Sequence, residues 1–250
     1  MTRITIIGYG KMGQTIERLA KEKGHKIVSI IDPRQEGCFK EINEESIKGA
    51  DVCIDFTHPS AAVDNIKKVA SFGKNIVVGT TGWYNQMNEV KRIVEKNNIG
   101  LIWSGNFLIG VNAFFKIIEE SARIFNNLED YDCLAYEMHH KMKADSPSGT
   151  AKMMSDLLIK NLNKKDKAVF KILDRQIEPN ELHVASIRGG SIPGTHEVQF
   201  DSPDDTVSIK HVARSRNGFA NGAIMAAQFI EGKKGFFNIN DLMDDMIKKV

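Results

Sequence analysis

The sequence has few cysteines and no pattern among them. Cys38, Cys53 and Cys133 are scattered along the chain without a C-x-x-C spacing. An odd, unpatterned set argues against a disulfide framework and favours a reducing compartment. Cys53 lies in an apolar run, where cysteine behaves as a small hydrophobic residue. We therefore expect no structural disulfide.

Long hydrophobic runs and a strong charge imbalance are also absent from the 250 residues. No apolar run reaches the roughly 18 residues that a membrane helix needs, and the short apolar N-terminus runs into a glycine turn, unlike a signal peptide. The 34 basic and 32 acidic residues give a net charge of +2 and are interspersed. This composition predicts a cytoplasmic globular protein without a nucleic-acid or membrane partner.

A glycine motif near the N-terminus has the setting of a dinucleotide-binding fold. G-Y-G-K-M-G, with Gly8, Gly10 and Gly13, follows a β-branched run and opens a helical pattern. A second β-branched run ends at Asp32, where an acid accepts from the adenosine ribose 2′-hydroxyl. Asp32 disfavours a 2′-phosphate and Arg34 favours it, so NADH and NADPH both stay open. The motif predicts that a pyrophosphate binds at the helix N-terminus.

The alternation of strands and helices continues through the first half. We expect strands at 4–7, 27–31, 52–56, 76–78 and 101–103, and helices at 12–23, 61–72 and 85–97. This order predicts a parallel sheet with right-handed crossovers. The loops FTHPS, GTTG and SGNF follow strand ends, the edge at which such sheets bind ligands. Ordinary turn chemistry would select the same residue types.

The second half changes from alternation to consecutive strands. We expect a helix at 111–125, strands at 131–140, 182–187, 195–200 and 206–212, and helices at 151–162, 218–231 and 241–248. The last three strands have no crossover helix between them, which predicts an antiparallel or mixed sheet. RGGSIPG, at 188–194, could form a mobile loop that covers the substrate. The predicted fold is α/β, with an N-terminal Rossmann-type parallel sheet formed by 1–108 and 217–250 and a central α+β domain of mixed sheet at 109–216.

The segment YEMHHKMKADSPSGT, at 136–150, carries the candidate chemistry. On a strand, His139 shares one face with Glu137 while His140 faces the other way, so the two histidines do not converge on one metal ion. No H-E-x-x-H pattern is present, and we expect no metal. Histidine suits proton exchange near neutral pH, and Lys143 could pair with a carboxylate or donate a proton. The SPSGT turn opens a helix and offers backbone N–H groups to an anion. The segment could instead be a surface loop with ordinary basic residues.

Together these segments resemble a known family. GYGKMG, IDFTHPS, GTTGW, GNFLIGVN, EMHHKMKADSPSGTA, RGGSIPGTH and SRNGFANGA, in this order over essentially the whole chain, are similar to the 4-hydroxy-tetrahydrodipicolinate reductase (dihydrodipicolinate reductase) family. The resemblance implies an oxidoreductase that uses NADH or NADPH. Its substrate would be the small dicarboxylate 4-hydroxy-2,3,4,5-tetrahydrodipicolinate, reduced with loss of water in lysine biosynthesis through diaminopimelate. It also implies a homotetramer in which the central domain binds substrate and forms the assembly.

The resemblance further implies roles for single residues. His139 would be the proton donor or acceptor and Lys143 the proton donor. A substrate carboxylate would be bound by His140, Ser148, Gly149 and Thr150. The dinucleotide would be bound by Gly8, Tyr9, Gly10, Lys11, Met12, Gly13, Asp32, Arg34, Phe56, Gly79, Thr80, Thr81, Ser104, Gly105, Asn106 and Phe107. Arg216 could also lie near the site.

Two other functions are compatible with parts of the sequence. A dehydrogenase of the aspartate-semialdehyde type needs an activated cysteine nucleophile, for which Cys133 is the candidate. A dinucleotide-binding sensor without turnover would keep GYGKMG and Asp32, but it would not need HHKMK beside SPSGT.

Overall fold

The structure, a computed structural model, describes residues 1–248 of the chain and divides into two compact units. The first unit is Met1–Asn112 together with the chain from Arg216 onward, and the second is Ala113–Ser215. The first half of the chain forms β1 (Arg3–Ile7), α1 (Lys11–Glu22), β2 (Lys26–Ile31), β3 (Val52–Asp55), α2 (Pro59–Ser71), β4 (Asn75–Val78), α3 (Met87–Asn97), β5 (Gly100–Trp103) and α4 (Ile109–Phe125). The second half forms β6 (Asp132–His139), α5 (Gly149–Asn161), β7 (Lys167–Val169), β8 (Glu181–Arg188), β9 (Thr195–Asp201), β10 (Thr206–Val212), α6 (Asn217–Ile230), β11 (Gly235–Asn238) and α7 (Ile239–Ile247).

The first unit is built on a six-stranded parallel sheet in the order β11-β5-β4-β3-β1-β2. Its inner strands are apolar on both faces because helices cover both faces. One face packs Ile6 and Ile54 against α1 and α6, while the other packs Cys53 and Val78 against α2 and α3. The order places the ends of β1, β3, β4 and β5 along one edge, where the predicted dinucleotide loops begin.

The second unit is built on a five-stranded mixed sheet in the order β10-β9-β6-β8-β7. The central strand β6 pairs antiparallel with β9 and parallel with β8. Its inner face carries Cys133 and Ala135, which pack on α4 and α5 through residues such as Ile118 and Met154. Burial therefore alternates along β6, as the period-2 pattern predicted, with Glu137 and His139 continuing the inner face.

The predicted fold class is confirmed, and the differences are local. Two strands were not foreseen, β7 and β11, which have only three and four residues. Helix α2 begins at Pro59, two residues before the predicted start, since proline suits the first helical position. His58 is its N-cap, and its side chain accepts the Ser60 N–H. Within residues 1–248, no helix is long and apolar enough to cross a membrane.

Candidate active site

The glycine loop after β1 has the shape that a dinucleotide requires. Gly8 has φ +90°, and a Cβ there would lie 2.3 Å from the Phe56 carbonyl oxygen. A Cβ on Gly13 would lie 2.1 Å from the Gly8 carbonyl oxygen, so the loop packs tightly on the first turn of α1. A Cβ on Gly10 would meet nothing within 4 Å. Gly10 therefore faces open space, as expected where a ligand approaches the backbone.

The N-terminus of α1 is free of side-chain capping. Its N-cap is Gly10, and no side chain accepts from the first-turn N–H groups, to which Lys11, Met12 and Gly13 belong. These groups remain available to a pyrophosphate. The donor pattern thus fits a dinucleotide.

Asp32 lies at the end of β2 beside this loop. One carboxylate oxygen accepts the Tyr9 N–H at 2.8 Å, and the other accepts the Arg34 N–H at 2.8 Å. Asp32 therefore shapes the loop as well as presenting an acid at the ribose position. The Tyr9 hydroxyl is turned onto α1, where its hydrogen bond to Glu17 raises the pKa of Tyr9 to about 12.

A pocket of about 430 Å³ lies at this edge of the sheet. It brings together the predicted residues Gly8, Gly10, Asp32, Arg34 and Phe56. It also contains Thr57 and His58 of the predicted FTHPS loop, together with Lys40 and Lys68, which the sequence did not single out. Its size is typical of a small-molecule site.

Another pocket of the first unit, of about 440 Å³, is lined by Lys11, Gln14, Thr15, Arg18 and Arg216. Arg216 is also the residue that precedes α6. The structure thus places Arg216 near the N-terminal part of α1.

A buried carboxylate joins the loops after β3 and β4. Asp55 accepts from the Thr80 hydroxyl at 2.6 Å, from the Thr57 hydroxyl at 2.9 Å and from Asn65 Nδ2 at 2.8 Å. Burial raises the pKa of Asp55, and the hydroxyl and amide donors oppose that rise. Thr80 is thus held by the fold, and Thr81 beside it is exposed.

The remaining predicted dinucleotide residues form turns beyond β4 and β5. The Phe56 ring occupies the space that a Cβ on Gly79 would need. Ser104 Oγ donates to the Asn106 carbonyl at 2.8 Å, and Asn106 Oδ1 accepts the Leu108 N–H at 2.9 Å. The residues Gly79, Ser104, Gly105, Asn106 and Phe107 do not line the 430 Å³ pocket.

In the second unit, Glu137 is a fully buried carboxylate on β6. Its Oε1 accepts from the Ser148 N–H at 2.9 Å, the Ser186 hydroxyl at 2.9 Å and the Arg188 guanidinium at 2.8 Å. Its Oε2 lies 3.1 Å from His139 Nδ1. Burial opposes ionisation, but the donors around Glu137, with His196 and Ser148 foremost, outweigh it and hold the pKa of this carboxyl far below its usual range.

His139 is a neutral imidazole at physiological pH. It lies at the end of β6 with 7% of its surface exposed, and burial lowers its pKa to about 4, although Glu137 raises it. The RGGSIPG loop fixes the backbone here, because the His139 carbonyl accepts the Gly189 N–H and the His140 N–H donates to Ile192. His140 follows the last residue of β6 and is half-buried.

Lys143 and the SPSGT turn complete the group. The Lys143 ammonium lies 2.7 Å from Asp145. Ser148 is the N-cap of α5, with its Oγ accepting the Ala151 N–H at 3.1 Å. Gly149 and Thr150 begin the helix, and a Cβ on Gly149 would meet nothing within 4 Å. This N-terminus is open to an anion.

The same sheet carries a cluster of metal-ligand types and a cysteine. Glu137, His139 and His196 have ligand atoms within 4.8 Å of one another and are the described residues that could hold a metal ion. The Arg188 guanidinium already neutralises that carboxylate, which favours proton handling over cation binding. Cys133 is 5% exposed, and burial raises its pKa to about 12, so it does not supply the thiolate that a cysteine nucleophile requires.

Comparisons with known proteins agree with this architecture. A family model described as "Dihydrodipicolinate reductase, N-terminus" matches residues 2–107, and "Dihydrodipicolinate reductase, C-terminus" matches residues 110–243. The chain belongs to the dihydrodipicolinate reductase family. The predicted family is thus confirmed, and the chain is an NAD(P)H-dependent oxidoreductase.

Curated relatives match over nearly the whole chain. A 4-hydroxy-tetrahydrodipicolinate reductase of Christiangramia forsetii is 38% identical over 245 residues, which cover 98% of this chain and 99% of the relative. One of Staphylococcus aureus strain Newman is 36% identical over 247 residues, covering 96% and 100%. A solved structure, dipicolinate-bound dihydrodipicolinate reductase from Paenisporosarcina sp. TG-14, shares the fold with a TM-score of 0.78 at 22% identity, covering 95% of this chain and 97% of that one.

Sequence reasoning missed the partners of His139. The sequence pattern places Glu137 on the inner face of β6 and puts Arg188 and His196 at the two ends of RGGSIPGTH, but it does not bring the three together. The available signal was the spacing of Glu137 and His139, two residues apart on a strand. An acid beside a histidine on one face is a pairing that orients imidazoles.

Proposed function

We propose the following function, which rests on the family and on the side chains grouped in the second unit. The chain reduces 4-hydroxy-2,3,4,5-tetrahydrodipicolinate to 2,3,4,5-tetrahydrodipicolinate with loss of water, in lysine biosynthesis through diaminopimelate. The observation that carries the residue roles is the grouping of a neutral imidazole, a lysine ammonium and an open helix N-terminus in one unit.

The first unit binds the dinucleotide. The pyrophosphate lies at the N-terminus of α1, against Gly10 and the first-turn N–H groups, and the adenosine ribose lies beside Asp32 and Arg34. Phe56 and the loops at 79–81 and 104–107 bind the rest of the molecule. When bound, the reduced nicotinamide supplies hydride to carbon 4 of the substrate ring.

The second unit binds the substrate through a carboxylate. The N–H groups of Gly149 and Thr150 receive it at the start of α5, and His140 adds a side-chain contact. Ser148 acts differently, since its N–H already donates to Glu137 and its hydroxyl caps the helix. A small dicarboxylate suits this arrangement, and the relative from Paenisporosarcina carries bound dipicolinate.

Lys143 supplies the proton. Addition of hydride to the conjugated enimine left by loss of water places negative charge on the ring, and one proton must neutralise it. The ammonium of Lys143 can give that proton, while the neutral His139 positions the ring and exchanges a proton with it. Fixed orientation and preplaced positive charge are the main rate-enhancing effects.

The second unit also assembles the protein as a cytoplasmic homotetramer. The outer face of its sheet carries Leu134 and Ile187, which are 38% and 50% exposed, beside Met138. An apolar patch of this kind on a sheet suits burial against another subunit. Sedimentation equilibrium should give a mass near four chains, whereas a monomer at micromolar concentration would remove this part of the proposal.

The direct test is oxidation of NADH and of NADPH, measured separately, with substrate generated in situ from pyruvate and aspartate semialdehyde by the preceding synthase. We expect rapid oxidation that depends on the substrate. The ratio of the two rates reports whether Asp32 or Arg34 governs the ribose site. A folded protein that binds NADH but oxidises neither cofactor would contradict the proposed function.

A further inference from the structure

Glu137 is buried beside His139 in a way that leaves few partners for either group. Glu137 Oε2 and His139 Nδ1 are both buried, and among residues 1–248 neither has an aligned hydrogen-bond partner. They lie 3.1 Å apart. A buried carboxylate oxygen needs a donor and a buried ring N–H needs an acceptor, so each of these two atoms can serve as the partner of the other. Hydrogen bonds of this kind are often poorly aligned without substrate and tighten in the complex.

The rest of the carboxylate is already fixed. Oε1 receives three donors, from Ser148, Ser186 and Arg188, which come from the start of α5 and from β8. These donors hold the carboxylate in one orientation and leave Oε2 directed at the histidines. His196 on β9 also faces this oxygen, but its Nε2 is farther away, at 3.7 Å, and lies 3.4 Å from Ser148 Oγ.

The other nitrogen of His139 lies close to Gly194, where a side chain would crowd it. A Cβ on Gly194 would lie 3.0 Å from His139 Nε2 and 3.4 Å from its Cδ2. Gly194 has φ +154°, and its loop also holds the backbone of His139 and His140. The two ring nitrogens therefore have different surroundings: a carboxylate at Nδ1 and the glycine backbone of residue 194 near Nε2.

We propose that Glu137 is a positioning residue of the reaction, which accepts Nδ1–H of His139 and thereby presents an unprotonated Nε2 to the substrate. This inference rests on the proposed function. The fixed tautomer makes His139 an acceptor toward the substrate, and the anion behind the ring stabilises the imidazolium that forms if Nε2 takes up a proton. The charged and titratable groups around the ring are Glu137, Arg188, His196 and Lys143.

The test compares Glu137→Gln with wild type in substrate-dependent NADH oxidation. Glutamine keeps the size of the side chain, but its amide NH₂ at the Oε2 position would donate to Nδ1 and impose the opposite tautomer. We expect kcat to fall by about 10²–10³-fold with KM for the substrate changed less than about 3-fold. Glu181→Gln is the matched control, because Glu181 is a buried acid of the same sheet that pairs with Lys167 and Arg175. Its activity should stay within about 3-fold of wild type.

A double variant separates positioning from a merely structural role. When His139 is already replaced by glutamine, adding Glu137→Gln should lower kcat by less than about 3-fold more. The reason is that the two substitutions remove the same function. A structural role would lower activity equally in both backgrounds. If Glu137→Gln fails to fold, Ser186→Ala removes one donor to Oε1 and should lower kcat by about 3–10-fold, again only when His139 is present.

Several outcomes would overturn the inference. One is a kcat for Glu137→Gln within a few-fold of wild type while His139→Gln is strongly impaired. Another is a His196→Gln variant as impaired as Glu137→Gln while His139→Gln retains activity, which would assign the carboxylate to His196. Loss of wild-type activity on removal of divalent metal by a chelator would identify the three side chains as metal ligands instead. If the wild-type enzyme is inactive, the proposed function is contradicted. If wild type and Glu137→Gln are both active, only the positioning role of Glu137 is contradicted.

Discussion

Each sheet of the molecule has a fully buried carboxylate near the carboxyl end of a strand, and these two carboxylates have opposite pKa shifts. Asp55 ends β3 in the first unit and receives only neutral donors, from Thr57, Thr80 and Asn65, so that burial raises its pKa. Glu137 lies two residues before the end of β6, and its pKa is lowered by His196 and Ser148 first and by the Arg188 guanidinium next. Both side chains are fully buried.

The difference shows that the donors, rather than burial alone, decide the charge of a buried acid. Neutral hydroxyls and an amide suffice to tie two loops together, which is what Asp55 does for Thr57 and Thr80. Glu137 has stronger support, because His196, Ser148 and Arg188 all lower its pKa and the last of these is a permanent cation. The first network fits the holding of cofactor loops and the second fits proton transfer.

Loss of the proton donor should have the largest effect and should leave the first unit unaffected. Lys143→Ala is expected to lower turnover by about 10²–10⁴-fold, because the ring charge is then no longer neutralised by a placed ammonium. Stopped-flow measurement of NADH oxidation gives the turnover of Lys143→Ala. The affinity of this variant for NADH, measured by fluorescence, should match that of wild type. Lys141→Ala, a nearby exposed lysine, is the control and should change turnover less than about 2-fold. A loss of only a few-fold in Lys143→Ala would remove this lysine from the mechanism.

Removing the cation from the second network should destabilise the protein more than any single change in the first. Arg188→Met leaves Glu137 buried without its guanidinium, and we expect a loss of about 3–5 kcal/mol in the free energy of unfolding. Urea denaturation followed by far-UV circular dichroism measures it. Arg175→Met, which removes a half-exposed partner of Glu181, should change stability by less than about 1 kcal/mol. Equal losses in the two variants would show that Glu137 does not depend on Arg188.

Removing one neutral donor from the first network should have a smaller effect. Asn65→Ala deletes one of the donors to Asp55, and we expect a loss of about 1–2 kcal/mol. Trp83 and Trp103, the two tryptophans of the chain, both lie in the first unit, so tryptophan fluorescence during urea denaturation reports this loss locally. A loss as large as that of Arg188→Met would mean that neutral and charged donors matter equally, and the contrast between the two acids would fail.

The two acids should also give opposite, smaller contributions to the pH dependence of stability. The pKa of Glu137 is below its unfolded value of 4.5 in the folded protein, so its stabilisation is present above that pH and is lost as pH falls further. The pKa of Asp55 is above its unfolded value of 3.8, so its contribution becomes more favourable as pH falls toward that value.

Urea midpoints between pH 6 and pH 4 test these signs against Glu137→Gln and Asp55→Asn. The stability advantage of wild type over Glu137→Gln should begin to shrink as pH 4 is approached. The advantage of wild type over Asp55→Asn should grow over the same interval. Changes of the same sign in both comparisons would contradict the assigned shifts.

The sequence was sufficient where the structure depends on local pattern. The glycine motif predicted the loop after β1, and period-2 alternation predicted the inner face of β6. β11 was missed because four residues, two of them Phe236 and Phe237, carry too little pattern to distinguish a strand, and its partner β5 lies far away in the chain. Pairing of distant segments is set by tertiary packing.

The same limit applies to the candidate site. His139, Lys143 and the SPSGT turn form one contiguous segment and could be recognised together. The partners of Glu137 come from other strands, Arg188 being 51 residues away, and no spacing rule links them. Lys40 and Lys68, which line the pocket beside Asp32, were missed because each stands among many other lysines, and only the fold brings them to Asp32.

The return of the chain to the first sheet has a consequence for synthesis on the ribosome. The second unit is one continuous segment, whereas the first unit needs α6, whose Ala223 and Ala227 lie in its core, and β11 at its edge. We expect the nascent chain to complete the middle unit while the N-terminal half still exposes the face that α6 will cover. Stalled chains ending at residue 215 should therefore bind trigger-type chaperones through their N-terminal half. Longer chains, in which the C-terminal helices have emerged from the ribosome, should no longer bind them.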